Sequence, residues 1–225
     1  GADAIDAMAG LNWEVLYPKH IGVVLTGELS GWAAPKDIVL YLAGQLTVSG
    51  GTNSIIEYFG PGARNISCTG KATITNMGAE LGATTSIFEY DDKMATYLRA
   101  TGRGELVELA EANVELLSLD EEVKKNPQDY FDRVVEIDLS ALEPHVVGPH
   151  SPDRARPISQ LADEVASSNG EFIDEITTCL IGSCTNSSYE DMSRAADVAE
   201  QALAHGLKSA AALMVTPGSE QIRAT

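Results

Sequence analysis

The feature that most constrains this chain is an alternation. Short apolar runs rich in β-branched residues recur at 21–25, 55–59, 84–88, 134–139, 176–181 and 211–215. Segments of helical length lie between most of them, with apolar residues spaced for one helix face. Strands separated in this way pair in parallel and need helices over their faces. The expected fold class is therefore α/β, with layered α/β/α domains and largely parallel sheets. Pro35 suits the first turn of a helix running through Ile38, Leu42 and Leu46, and Gly50-Gly51 breaks the pattern. A second helix is expected from about Thr69 to Leu81. Glu105 to Leu117 reads as another, followed by the charged run Asp120 to Lys125, a solvated face and loop. The Gly-rich turns, such as Gly60-Pro61-Gly62, match neither a phosphate-binding loop nor a dinucleotide fingerprint, so no nucleotide is assigned.

The richest stretch runs from Ile176 to His205. Ile176 to Ile181 is a strand, Gly182 to Ser188 a small polar loop, and a helix follows to His205-Gly206. Two capping registers are available at its start, because Glu190 and Asp191 lie three residues after Ser187 and Ser188. Cys184 thus sits where a strand exits toward a helix N-terminus, a place that favours a thiolate. Two readings are open on spacing alone: a metal-binding thiolate, or a small packed cysteine.

The literal string decides between them. Ile181-Gly182-Ser183-Cys184-Thr185-Asn186-Ser187-Ser188-Tyr189-Glu190-Asp191-Met192 closely resembles the first cluster-ligand motif of the aconitases. Residues 201–208 and 216–225 are similar to the mitochondrial-type branch of that family. The resemblance implies that Cys184 is one of three thiolates holding a [4Fe-4S] cluster whose open iron binds the substrate. Thr75-Asn76-Met77-Gly78-Ala79-Glu80-Leu81-Gly82 resembles the family too. Asn76 and Glu80, four apart, are expected on one helix face. By resemblance the asparagine lies beside the cluster, and the glutamate hydrogen-bonds the iron-bound water or hydroxyl. The implied reaction is dehydration and rehydration of a tricarboxylate, interconverting citrate and isocitrate through cis-aconitate in the tricarboxylic acid cycle. Related hydro-lyases, homoaconitase or 2-methylisocitrate dehydratase, are the rivals within the class, and a non-catalytic binding module the rival outside it.

The family pattern also implies parts that these 225 residues do not contain. A Cys-x-x-Cys pair would follow Thr225, an Asp-Ser-His segment would precede Gly1, and the catalytic serine and substrate-binding arginines would lie downstream. One thiolate cannot hold a cubane cluster, so the chain alone is expected to be inactive, with the remaining aconitase domains as its partners. Residues 1–17 read as the tail of a preceding domain and 18–145 as one α/β domain. The crowded prolines at 144, 149, 152 and 157 make 146–160 a linker. Residues 161–225 read as the first part of the cysteine-bearing domain, a sheet begun and not expected to bury its core alone. His145 and His150 read as surface loop positions.

Charge and cysteine content agree with this. Fifteen basic against 33 acidic residues give a net charge of -18, which argues against nucleic acid and anionic membrane surfaces. No apolar run approaches a membrane span, and no signal peptide is visible. Cys68, Cys179 and Cys184 do not form a secreted disulfide framework, and strand-to-loop geometry argues against a Cys179–Cys184 bridge. Cys68 and Cys179 read as structural. A reducing compartment follows, the mitochondrial matrix or a bacterial cytoplasm. The start at Gly1 without a Met reads as a processed product or an excised piece.

Overall fold

The fold is described by a computed structural model covering residues 2–12, 14–172 and 174–225. A short helix, α1 (Ala2–Met8), precedes the first strand, β1 (Lys19–Thr26). Then come α2 (Pro35–Leu46), β2 (Ser54–Phe59), α3 (Cys68–Asn76) and β3 (Thr85–Phe88). Three helices, α4 (Asp92–Ala100), α5 (Gly104–Glu111) and α6 (Glu121–Lys125), lead to β4 (Arg133–Asp138). These strands form one parallel sheet in the order β3-β2-β1-β4. The α/β class and parallel central sheet read from the sequence are thus the observed ones.

The sheet is ordered by burial. Central strands β1 and β2 bury Val23, Leu25, Ile56 and Tyr58 completely, whereas edge strand β3 is partly exposed along its length. Helix α2 turns Ile38, Val39 and Leu42 onto the sheet, and Ile74 of α3 and Leu81 complete that layer. The expected register is kept because Pro35 starts α2 where its missing N–H costs nothing. Gly22 is required in β1, since a Cβ there would come within 2.7 Å of the Phe131 ring.

Three local departures matter. The helix read as 69–81 is α-helical only to Asn76, and Met77–Leu81 continues as a 3-10 turn. Gly78 explains the tightening: it packs against Ser86, whose hydroxyl would lie 2.3 Å from any Cβ at that position. Asn76 therefore ends α3 while Glu80 lies in the 3-10 turn, so the two are not on one continuous α-helix. Helix α4 was not legible, and it buries only Ala95. The proline-rich stretch carries a two-residue antiparallel pair, β5 (His145–Val146) with β6 (Arg156–Pro157), packed near α2. His145 is half-buried there, edge-on to Tyr41, rather than a surface loop residue; His150 is exposed.

Beyond it lie α7 (Leu161–Ser167), β7 (Thr178–Gly182), α8 (Tyr189–Ala204), β8 (Ala212–Thr216) and α9 (Glu220–Ala224). Strands β7 and β8 pair in parallel across α8, a β-α-β unit. Its apolar side chains Leu180, Leu213, Met214 and Val215 are half or more exposed. No helix is long and apolar enough to cross a membrane, among the described residues.

Candidate active site

The cysteine loop is built by β7, which ends at Gly182. Only glycine fits there: φ is +140°, and a Cβ would fall 2.0 Å from Thr216 Oγ1 on β8. Ser183 follows at φ +83°, a left-handed conformation that costs a non-glycine residue energy. Its backbone N–H donates to Thr216 Oγ1 at 3.4 Å. The bend throws Cys184 outward, exposed, ahead of α8. Of the two capping registers, the structure uses the second. Ser188 caps α8 by accepting from the Asp191 N–H at 3.2 Å, and Asp191 Oδ2 accepts from the Ser188 N–H at 3.1 Å. Glu190 is left free for another partner.

Across from the loop stands α3. Thr69, Thr73 and Asn76 are spaced i, i+4 and i+7, one stripe along that helix. Asn76 Nδ2 donates to Thr185 Oγ1 at 2.9 Å, and Thr73 Oγ1 donates to the Thr185 carbonyl at 3.4 Å. Together they close one side of an open cleft of about 710 Å³ whose lining includes Asn76, Gly78, Ser86, Cys184 and Thr185. Among the described residues, no Lys or Arg contributes to that lining. The cleft lies at the carboxyl end of β7 but at the C-terminal end of α3, not along the carboxyl edge of the four-stranded sheet.

The Cys184 thiol is held below its ordinary pKa. The Thr185 hydroxyl, 3.6 Å from the sulfur, is the main cause, followed by the neighbouring Asn76 amide. The Cys184 backbone N–H adds to this, while slight desolvation and the negative charge of Glu80 pull the other way. The sequence pointed to the helix end as the source of thiolate stabilisation; the largest causes here are the two side chains, while one first-turn donor of α8, the Asp191 N–H, is engaged by the Ser188 cap. Cys68, the first residue of α3, is the opposite case: burial pushes its thiol up. Limited alkylation of the metal-free protein at neutral pH should therefore modify Cys184 well before Cys68. Equal labelling, followed by peptide mass analysis, would contradict this ordering.

Glu80, in the 3-10 turn, is exposed at the rim, close enough to act on the sulfur electrostatically. All three cysteines are free. Among the described residues no group of three or more His, Cys, Asp and Glu could hold a metal ion. The donor set present is one exposed, soft thiolate facing an open cleft. That fits one corner of an iron–sulfur cluster and does not by itself complete a ligand set. Thr73 and Thr185 went unremarked in the sequence, although the spacing of Thr69, Thr73 and Asn76 marks a polar stripe.

Residues 1–225 match the aconitase family (aconitate hydratase) along their whole length. The chain belongs to the aconitase family. Relatives include the mitochondrial aconitate hydratases of Emericella nidulans, 57% identical over 225 residues, and Saccharomyces cerevisiae, 54% identical over 226. The probable mitochondrial aconitate hydratase of Dictyostelium discoideum is 51% identical. Each match covers all of this chain and 28% of the relative, so this aconitase-family chain spans somewhat more than a quarter of their length.

Proposed function

We propose that the chain is part of an aconitate hydratase, a hydro-lyase interconverting citrate and isocitrate through cis-aconitate. The observation that carries this reading is the cleft that brings Cys184, with its thiolate-favouring hydrogen bonds, together with Asn76 and the rim carboxylate Glu80. In this reading Cys184 holds one corner of a [4Fe-4S] cluster, and the other two thiolates come from outside these 225 residues. When bound, the cluster supplies Lewis acidity that polarises the leaving hydroxyl.

The roles of the chain's own residues follow from their positions. Asn76 donates to Thr185 and fixes the loop that presents the sulfur. Glu80 takes up or returns a proton at the cleft rim as water leaves or adds. A tricarboxylate entering the cleft meets hydroxyls, an amide and small side chains, so its charges must be met by cations from other domains. Those domains are the proposed partners. We divide the chain into a tail (1–17), an α/β domain (18–145), a connecting stretch (146–160) and part of the cysteine-bearing domain (161–225). The names of its relatives support the mitochondrial matrix, with a bacterial cytoplasm as the alternative.

The test is anaerobic reconstitution of the whole enzyme with iron and sulfide, followed by assay of cis-aconitate hydration. Glu80→Gln should lower kcat by about 100-fold while iron content and cluster absorbance stay as in the parent. Unchanged turnover would reduce Glu80 to scaffold, and no hydration by the parent would reject the reading.

A further inference from the structure

We infer that Glu190 is a positioning residue: its carboxylate clasps the N-terminus of α3 and thereby sets the pose of the Cys184 loop against Asn76. Glu190 lies in the first turn of α8, yet it plays no part in that helix's own cap. Its Oε2 accepts from Ser67 Oγ at 2.6 Å and from Thr69 Oγ1. Ser67 is the N-cap of α3 and accepts in turn from the Gly70 N–H at 3.0 Å. One carboxylate therefore sits at the N-terminal ends of two helices, where negative charge is favoured twice over.

These bonds span more than 120 residues of chain and join the four-stranded unit to the cysteine-bearing unit. Apolar packing does not do this work. A cavity of about 270 Å³ lies between Trp32 and Pro35 on one side and Ile181 and Val198 on the other. Alignment thus falls to polar contacts along α3. Glu190 fixes the near end, while Thr73 and Asn76 hold Thr185 one and two turns on. Releasing the near end lets the loop pivot, and Cys184 loses its register with Asn76.

The inference rests on Cys184 being the cluster ligand, so its test has one arm that does not. In the metal-free whole protein, Glu190→Ala should raise amide hydrogen exchange at 183–188 by about tenfold, as should the Ser67→Ala/Thr69→Val double variant. Combining all three changes should add nothing further, since they remove one interaction. Glu190→Gln, whose carbonyl oxygen can still accept both bonds, should stay within about threefold of the parent. In the reconstituted enzyme, Glu190→Ala should shift the EPR signature of the reduced cluster and lower kcat with little change in KM. Unchanged exchange, or raised exchange with an unaltered EPR spectrum, overturns the positioning role. Normal iron loading in Cys184→Ser would instead sink the functional reading, leaving the clasp to be judged by exchange alone.

Discussion

Cys184→Ser is expected to leave the reconstituted whole enzyme without a stable cluster and with hydration activity at background. The substitution is close to isosteric and falls at an exposed position, so folding should be unaffected. What changes is the donor. A serine hydroxyl is hard and protonated at neutral pH, and does not replace a soft thiolate at iron. The other cysteines serve as internal controls. Cys68 begins α3 half-buried with its thiol pushed up, and Cys179 lies within β7. Serine at either position should leave iron content near that of the parent. Iron and labile-sulfide analysis after desalting checks the set. Full retention in Cys184→Ser, or comparable loss in Cys68→Ser, would move the ligand assignment away from Cys184.

Much of this arrangement could be read from local pattern, because local pattern carries its causes. The apolar runs at 21–25 and 55–59 became central strands since both of their faces are covered. Pro35 and the stripe through Ile38, Leu42 and Leu46 became α2. Cys184, Asn76 and Glu80 were reached through a family resemblance carried by short strings, and all three fall at or beside one cleft. The misses have physical reasons as well. Helix α4 does carry an apolar stripe, Met94, Ala95, Tyr97 and Leu98, but it is short, lies directly after a strand and buries only Ala95, so it does not stand out from the loop around it. The 3-10 turn at 77–81 depends on Gly78 meeting Ser86, a contact with a later strand. Which of the two capping registers α8 uses could not be read locally, because Glu190, the acid of the first, bonds instead to Ser67, more than 120 residues away in sequence.

The largest stability effect is expected at Lys71 and Asp91. Lys71, on the buried side of α3, has a side chain only 4% exposed; it pairs with Asp91, which is 13% exposed, and lies over the Phe88 ring. The two partners are not equivalent. Asp91 also caps α4, its Oδ1 accepting from the Lys93 and Met94 N–H groups at 3.1 Å each. In Lys71→Met the carboxylate keeps those donors, and the methionine stem refills most of the space, so a loss of about 3 kcal/mol is expected. Asp91→Ala removes the cap and leaves an ammonium buried beside an aromatic ring without its counter-charge. Its cost should be larger, about 4–6 kcal/mol from the broken pair and the lost cap together. The double variant Lys71→Met/Asp91→Asn exchanges the pair for a neutral contact while keeping a side-chain cap. It should therefore be more stable than Asp91→Ala and no worse than Lys71→Met. Denaturant unfolding of the four proteins checks the order, and equal losses in Lys71→Met and Asp91→Ala would show that the cap and the buried charge carry no separate cost. Because Lys71 lies between Ser67 and Asn76 on α3, the same pair anchors the helix that carries the loop contacts. Loosening it should also raise exchange at 183–188, and that links core stability to the geometry of the cleft.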